Sequence, residues 1–188
     1  MRIGIDIDNV LCDSMPAFLR RINARYGLHL EVKDITAWNM DLPGTTLSKE
    51  IIESLKSEFF VRAFPPMEGA CEAMRCLKRT TPHVVILLTH RGDETIVPTF
   101  GWVTRYFGAM PVHHTKDKSK HGCDVLIDDS PYNIEDFIEA GGKWAIVFDQ
   151  PWNRKVETTK RIARCSDWSG VLETLSIIER LETKELSK

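Results

Sequence analysis

Apolar runs of strand length recur along this chain with longer amphipathic stretches between most of them, an alternation that confines it to an α/β fold on a parallel sheet. The runs lie at residues 2–7, 83–88, 124–127 and 144–148, with a weaker one at 111–114. Helices are expected at 67–79, where Ala70, Met74 and Leu77 share one stripe, and at 95–107, where Pro98 should shorten or kink the start. Another is expected at 131–140, stopped by Gly141-Gly142, and a last one at 168–181, with Val171, Leu172, Leu175 and Ile178 spaced for burial. Residues 182–188 are charged and should fray. These elements predict a doubly wound, mainly parallel, Rossmann-like sheet.

The interval between the first and second long runs is too large for a simple crossover. Residues 14–66 hold expected helices at 16–26 and 48–59 around a polar and aromatic middle with Trp38, Pro43 and Gly44, and Pro65-Pro66 stiffens the return. The expected organisation is an α/β core of residues 1–13 and 67–188 with a small helical cap, residues 14–66, inserted after the first strand. At 188 residues and 43% hydrophobic content, the chain can bury a core as one such domain.

Charge and cysteine usage narrow the partners. A formal net charge of -2 supplies no basic field for tracking a polynucleotide, and no apolar stretch approaches the length of a bilayer span. The amino terminus carries no basic segment followed by an apolar one. Cys12, Cys71, Cys76, Cys123 and Cys165 are scattered, odd in number and without a CxxC pair, the pattern of a reducing compartment. A cytoplasmic protein without a nucleic-acid or membrane partner is expected, with self-association into a homodimer left open.

Chemistry-bearing residues fall at the ends of the apolar runs. The carboxyl ends of parallel strands share one edge, so Asp6, Asp8, Thr89, Lys118 and the pair Asp128-Asp129 should converge on one crevice. Asp6 can attack phosphorus and ligate a cation, while Asp8 can protonate a leaving alkoxide and recover the proton. Asn9 tolerates positive φ and would keep Asp8 turned inward. Two adjacent carboxylates at an interior strand end repel one another unless a cation joins them, and Mg²⁺ accepts oxygen donors of this kind. The same residues have blander readings. DxD fits a solvated strand end, Asp129 or Ser130 fits an N-cap, and a lysine in TKDKSK fits an exposed loop. Thr89 offers a hydroxyl and following N–H groups to phosphate oxygens, and a lysine facing the metal balances the transferring charge.

The order DxD, Thr, Lys, DD resembles the four motifs of the haloacid dehalogenase superfamily of phosphatases. The longer match resembles its 5'(3')-deoxyribonucleotidase family, through IDIDNVLCD at 5–13, EFFVRAFPPMEGACEAM at 58–74, GWVTRYFG at 101–108, DKSKHGCDVLIDD at 117–129 and SDWSGVL at 166–172. The resemblance implies that Asp6 is a nucleophile forming an aspartyl phosphate, Asp8 the general acid and base, Thr89 a phosphate binder and Lys118 the charge-stabilising lysine. It also implies Mg²⁺ held by Asp6, the backbone oxygen of Asp8, and Asp128 or Asp129. Three positions depart from the family pattern: Asn9 stands where Gly is usual, Ser14 where an aromatic is frequent, and Ser130 where a basic residue is frequent. The last two are expected near the substrate pocket.

Trp38, Phe59 and Phe60 are candidates for an aromatic wall against a nucleobase, with Trp38 the best of them, and the alternative is the cap's own core. His90 and Arg91 follow Thr89 and either touch substrate or approach a helix in solvent. His113, His114, His121 and Cys123 match no common zinc spacing, and Cys12 reads as a packed residue. The expected function is a Mg²⁺-dependent phosphomonoesterase acting on a nucleoside monophosphate, or on a sugar phosphate or other small ester. A phospho-receiver and a non-catalytic nucleotide-binding protein are the alternatives from other classes.

Overall fold

The structure is a computed structural model that describes residues 1–80 and 83–186. In chain order it comprises β1 (Arg2–Ile5), α1 (Met15–Tyr26), β2 (Asp41–Leu42), β3 (Thr45–Thr46), α2 (Leu47–Leu55), α3 (Glu58–Arg62) and α4 (Ala70–Thr80). There follow β4 (Val84–Thr89), α5 (Ile96–Phe107), β5 (Val112–His114), β6 (Val125–Asp128), α6 (Pro131–Glu139), β7 (Trp144–Phe148), β8 (Ile162–Cys165) and α7 (Trp168–Leu186). Six strands form one sheet in the order β5-β4-β1-β6-β7-β8, every pair parallel.

Alternate residues of each strand feed two different cores, which is why the runs read as continuously apolar. Ile3, Ile5, Leu87, Val125, Ile127, Ile146 and Phe148 face α4, α5 and α7, whose Met74, Leu77, Trp102, Val103, Trp168, Val171 and Leu175 are buried with them. Ile86, Leu88, Leu126, Ala145 and Val147 face the opposite way, against Ile134 and Phe137 of α6. Helices therefore cover both faces, as expected of a doubly wound sheet. On this second face β1 carries Gly4, where a Cβ would meet Leu88 Cδ1 at 2.8 Å.

From β1 the chain steps outward to β4 and β5 on one side and then crosses to β6 on the other, so β1 sits between β4 and β6 at the topological switch point. Its carboxyl end opens under the inserted elements α1, β2, β3, α2 and α3. The insertion leaves and re-enters along paired backbone, with Asp13 N donating to Pro65 O at 3.0 Å and Met67 N to Leu11 O at 2.8 Å. Trp102 Nε1 on α5 donates to Phe64 O at 2.9 Å, tying the return to the core.

Several boundaries differ from the reading of the sequence. The helix expected over 48–59 is two, because Ser57 caps a new start by accepting from Phe60 N. β8 was not expected, since IARC is short, interrupted by Arg164 and only partly buried at the sheet's far edge. α4 begins at Ala70 rather than residue 67, after Gly69 in a left-handed turn at φ 77. The last helix runs on to Leu186, past the expected fray at 182, where Glu182 accepts from Trp144 Nε1 and Lys143 Nζ, both at 2.9 Å. Residues 187 and 188 of that expected tail lie outside the described residues. Among the described residues no helix is long and apolar enough to cross a membrane.

Candidate active site

The loop after β1 is wound tightly enough to turn two alternating carboxylates into one crevice. Leu11 N and Cys12 N both donate to Ile7 O, at 3.0 and 2.8 Å, and Asn9 N donates to Cys12 O at 2.7 Å. Asn9 sits at φ 57, the positive-φ position expected of it. Its Oδ1 accepts from Met15 N at 3.0 Å and from Ser14 Oγ at 3.3 Å, so it also serves the first turn of α1, which Ser14 does not cap. Trp168 Nε1 donates to Val10 O and Gln150 Nε2 to Asn9 O, at 2.9 and 3.0 Å, so α7 and the turn after β7 hold the loop from below.

Lys118 opens a one-turn 3-10 helix, Lys118–His121, capped by Asp117, and points inward rather than into solvent. It is only 4% exposed. Its Nζ lies 2.5 Å from Asp6 Oδ1 and 2.7 Å from Asp128 Oδ2. Asp128 is saturated by protein donors, since Ser130 N reaches Oδ1 at 2.9 Å and Asn133 Nδ2 reaches both oxygens at 3.1 Å. Asp129 accepts from Trp152 Nε1 at 3.2 Å. Oxygens of Asp6, Asp128 and Asp129 lie within 4.8 Å of one another.

The electrostatics of this cluster are those of a site one positive charge short. Burial, then Asp128 and Asp8, push the Asp6 carboxyl up to about 7 against the pull of Lys118. Burial first, then Asp6 and Asp128, raise Asp129 well above the carboxylate range. Lys118 is raised as well, because Asp128 and Asp6 outweigh its desolvation. The carboxylate oxygens of Asp6, Asp128 and Asp129 are hard and anionic when ionised, and a divalent cation beside them would relieve the repulsion that lifts Asp6 and Asp129, so the donor set fits Mg²⁺.

Asp8 is set apart from these. Arg91 donates from Nε and Nη2 to its two oxygens, each at 2.8 Å. Burial acts to raise the Asp8 carboxyl, but the guanidinium overcomes it and holds the group below its ordinary range. The sequence offered no sign of this pair. Arg91 reads there as a substrate contact or a solvated approach to a helix, whereas its burial depends on α5 and the return of the insertion closing over it.

One cavity of about 420 Å³ gathers the site. Asp6, Asp8, Thr89, His90, Lys118, Asp129 and Trp38 all line it, as do Arg91 and Asn133, while Asp128 sits behind the surface in contact with Lys118. The insertion contributes an apolar lobe from Met15, Phe18, Ile35, Trp38, Leu47, Ile51 and Leu55, with Ser48 as its polar member. The expected aromatic wall is therefore corrected. Phe59 is 86% exposed, and Phe60 packs in the insertion's own core, its ring centre 5.1 Å from Phe64 and 5.8 Å from Phe18. Phe18, one helical turn inside α1, lines the cavity instead.

Ser14 and Ser130 stand directly behind the lining, because Ser14 donates to Asn9 Oδ1 and Ser130 caps α6 by accepting from Asn133 N, so they are near the cavity without entering it. Of the histidines, His113 packs on His121 with ring centres 4.9 Å apart, and His114 Nδ1 faces Arg91 O at 2.9 Å. Cys12 is buried with its thiol 3.9 Å from Arg91 Nη2.

An open doubly wound sheet with an acidic pair, a threonine and a buried lysine at one carboxyl edge is the arrangement of a haloacid dehalogenase-type hydrolase fold. A haloacid dehalogenase-like family hydrolase from Xanthomonas campestris superposes with a TM-score of 0.62, covering 98% of this chain and 94% of that one at 16% identity. The chain belongs to the family described as 5' nucleotidase, deoxy (pyrimidine), cytosolic type C, whose model matches residues 1–181. It is 28% identical over 173 residues to a 5'(3')-deoxyribonucleotidase of Bacillus subtilis, covering 90% of this chain and 95% of the relative. Against the human mitochondrial 5'(3')-deoxyribonucleotidase the identity is 29% over 143 residues, 70% of this chain and 63% of the relative.

Proposed function

We propose that this chain is a Mg²⁺-dependent phosphomonoesterase that releases phosphate from a deoxynucleoside monophosphate by way of an aspartyl phosphate on Asp6. Its family makes it a phosphoric monoester hydrolase acting on nucleotides. The observation that carries the finer reading is the buried Lys118 ammonium shared by Asp6 and Asp128, with Asp129 beside them. That arrangement leaves one face of Asp6 for phosphorus and supplies charge where the transferring group gathers it.

In this reading Asp6 attacks phosphorus as the ester P–O bond breaks, and Asp8 gives the departing alkoxide a proton. A water then opens the acyl phosphate, giving its proton back to Asp8 and restoring Asp6. Thr89 and the backbone N–H groups after it receive phosphate oxygens, and Lys118 neutralises the charge on Asp6 and the phosphoryl group. Asp6, the Asp8 backbone oxygen and Asp129 would hold the cation, since Asp128 is taken by Lys118, Ser130 and Asn133. When bound, Mg²⁺ supplies Lewis-acid polarisation of the phosphoryl oxygens. Residues 14–66 act as the cap, and Trp38 and Phe18 bear on the leaving nucleoside. His90, beside Thr89 on the cavity wall, is a further contact for the substrate. Five scattered cysteines, odd in number and without a CxxC pair, support a cytoplasmic setting.

A second reading follows from the apolar lobe, which fits another small phosphate ester as well as a nucleoside. Phosphate release in the presence of Mg²⁺, measured across ribo- and deoxyribonucleoside monophosphates and sugar phosphates, separates the two. The highest kcat/KM is expected for a deoxynucleoside monophosphate. A sugar phosphate turned over faster than every nucleotide would overturn that substrate, and no Mg²⁺-supported release from any ester would overturn the mechanism.

A further inference from the structure

Arg91 lies in the cavity wall, and the chemistry above gives it no task. It stands two residues past Thr89, yet its side chain is 1% exposed. Besides its two bonds to Asp8, Nη1 donates to Thr99 Oγ1 of α5 at 3.1 Å, and the guanidinium carbon lies 5.8 Å from the centre of the Phe64 ring. It is thus anchored by the loop after β4, by α5 and by the return of the insertion. Asp8 retains 22% exposure on the cavity side. The arginine is the fixed partner and the aspartate the adjustable one. A side-on bidentate pair sets the plane of a carboxylate as well as its distance, and each Asp8 oxygen keeps a second lone pair for a proton.

We propose that Arg91 is a positioning residue for proton transfer, aiming the Asp8 carboxyl at the substrate's leaving oxygen without itself touching the reacting phosphorus. The proposal rests on Asp8 as the proton-transfer group. Arg91 pairs with ionised Asp8 in the resting site. The proton that the outward lone pair passes to the alkoxide as the ester P–O bond breaks is therefore taken up from the phosphate monoester monoanion, and the one the attacking water later returns there leaves with the product phosphate. Donor and acceptor must meet within about 3 Å for this transfer, so the group that fixes the Asp8 plane controls its efficiency. A lysine there would keep the charge and lose the fork.

The test compares Arg91→Met, Arg91→Lys, Asp8→Asn and the double variant Arg91→Met/Asp8→Asn, with Mg²⁺, on p-nitrophenyl phosphate and on a deoxynucleoside monophosphate. Nitrophenolate leaves without a proton and an alkoxide does not. Arg91→Met and Asp8→Asn should each lower the alkyl-to-aryl ratio of kcat/KM, which reports P–O cleavage and not the shared hydrolysis of the aspartyl phosphate, by about tenfold or more. The double variant should fall no further than Asp8→Asn alone, because one function is removed twice. Arg91→Lys should shift the ratio in the same direction by less, and it carries the test if Arg91→Met does not fold. Equal losses on both esters in the Arg91 variants, or losses that multiply in the double variant, would overturn the proposal. An unchanged ratio in Asp8→Asn would instead overturn the role of Asp8 on which it rests.

Discussion

A carboxylate inside a protein is stable as an anion only where positive charge or hydrogen bonds reach it, and the three buried acids of this site are served unequally. Asp128 is enclosed by Lys118, Ser130 and Asn133, whereas Asp6 shares Lys118 and Asp129 meets Trp152. The residue that can be spared structurally is thus the one proposed to do the chemistry. Asp6→Asn preserves the shape and leaves Lys118 paired with Asp128. We expect it to retain cooperative thermal unfolding and to lose turnover by more than about 10³-fold. Steady-state phosphate release on the purified variant, beside its melting curve, checks both halves. Activity near the parent level would remove Asp6 as nucleophile.

At the scale of elements, the loop from β1 into α1 depends on one residue twice. Asn9 supplies the left-handed backbone at φ 57 and the oxygen that accepts Met15 N in the first turn of α1. Replacing it by Ala adds left-handed strain of about 1 kcal/mol and removes a cap of about 1 kcal/mol, so Asn9→Ala should destabilise by about 2 kcal/mol. Asn9→Gly relieves the strain but not the lost acceptor, and should cost about half as much. Urea unfolding of the two variants decides the point, because equal losses would show that backbone strain contributes nothing. Gly at this position is therefore expected to build the turn without the tie to α1.

For the molecule as a whole, the acids form a pH-dependent load that the proposed cation would remove. Asp6 and Asp129 have folded-state values raised above the ordinary carboxylate range, so the folded state holds more protons than the unfolded one between about 4 and about 7. In metal-free buffer these two groups should therefore lower stability as pH rises through that window. With the proposed ligand set, added Mg²⁺ would bind the ionised form, and its increment in melting temperature should grow across the same interval. Asp129→Asn should flatten both trends. Thermal melts from pH 5 to 8, with EDTA or with Mg²⁺, test this. A Mg²⁺ increment that does not change with pH would contradict the proposed ligand set.

The periodicity of apolar runs sufficed for the class of fold, because each run of β1, β4, β6 and β7 is buried on both faces and so spells its strand without help from neighbours. The strand ends sufficed for Asp6, Thr89 and Asp129 to be brought into one crevice, since parallel strands have one carboxyl edge, whereas Lys118, in a charged loop past β5, was singled out from its neighbouring lysines only by its resemblance to the family pattern. What the residues could not express alone was which polar groups the fold would bury. Arg91 and Phe18 enter the cavity, and Phe59 stays outside, only because the insertion closes against α5 and the loop after β4. Local sequence sets backbone direction and face, whereas the pairing of a buried charge depends on which distant segment arrives to meet it.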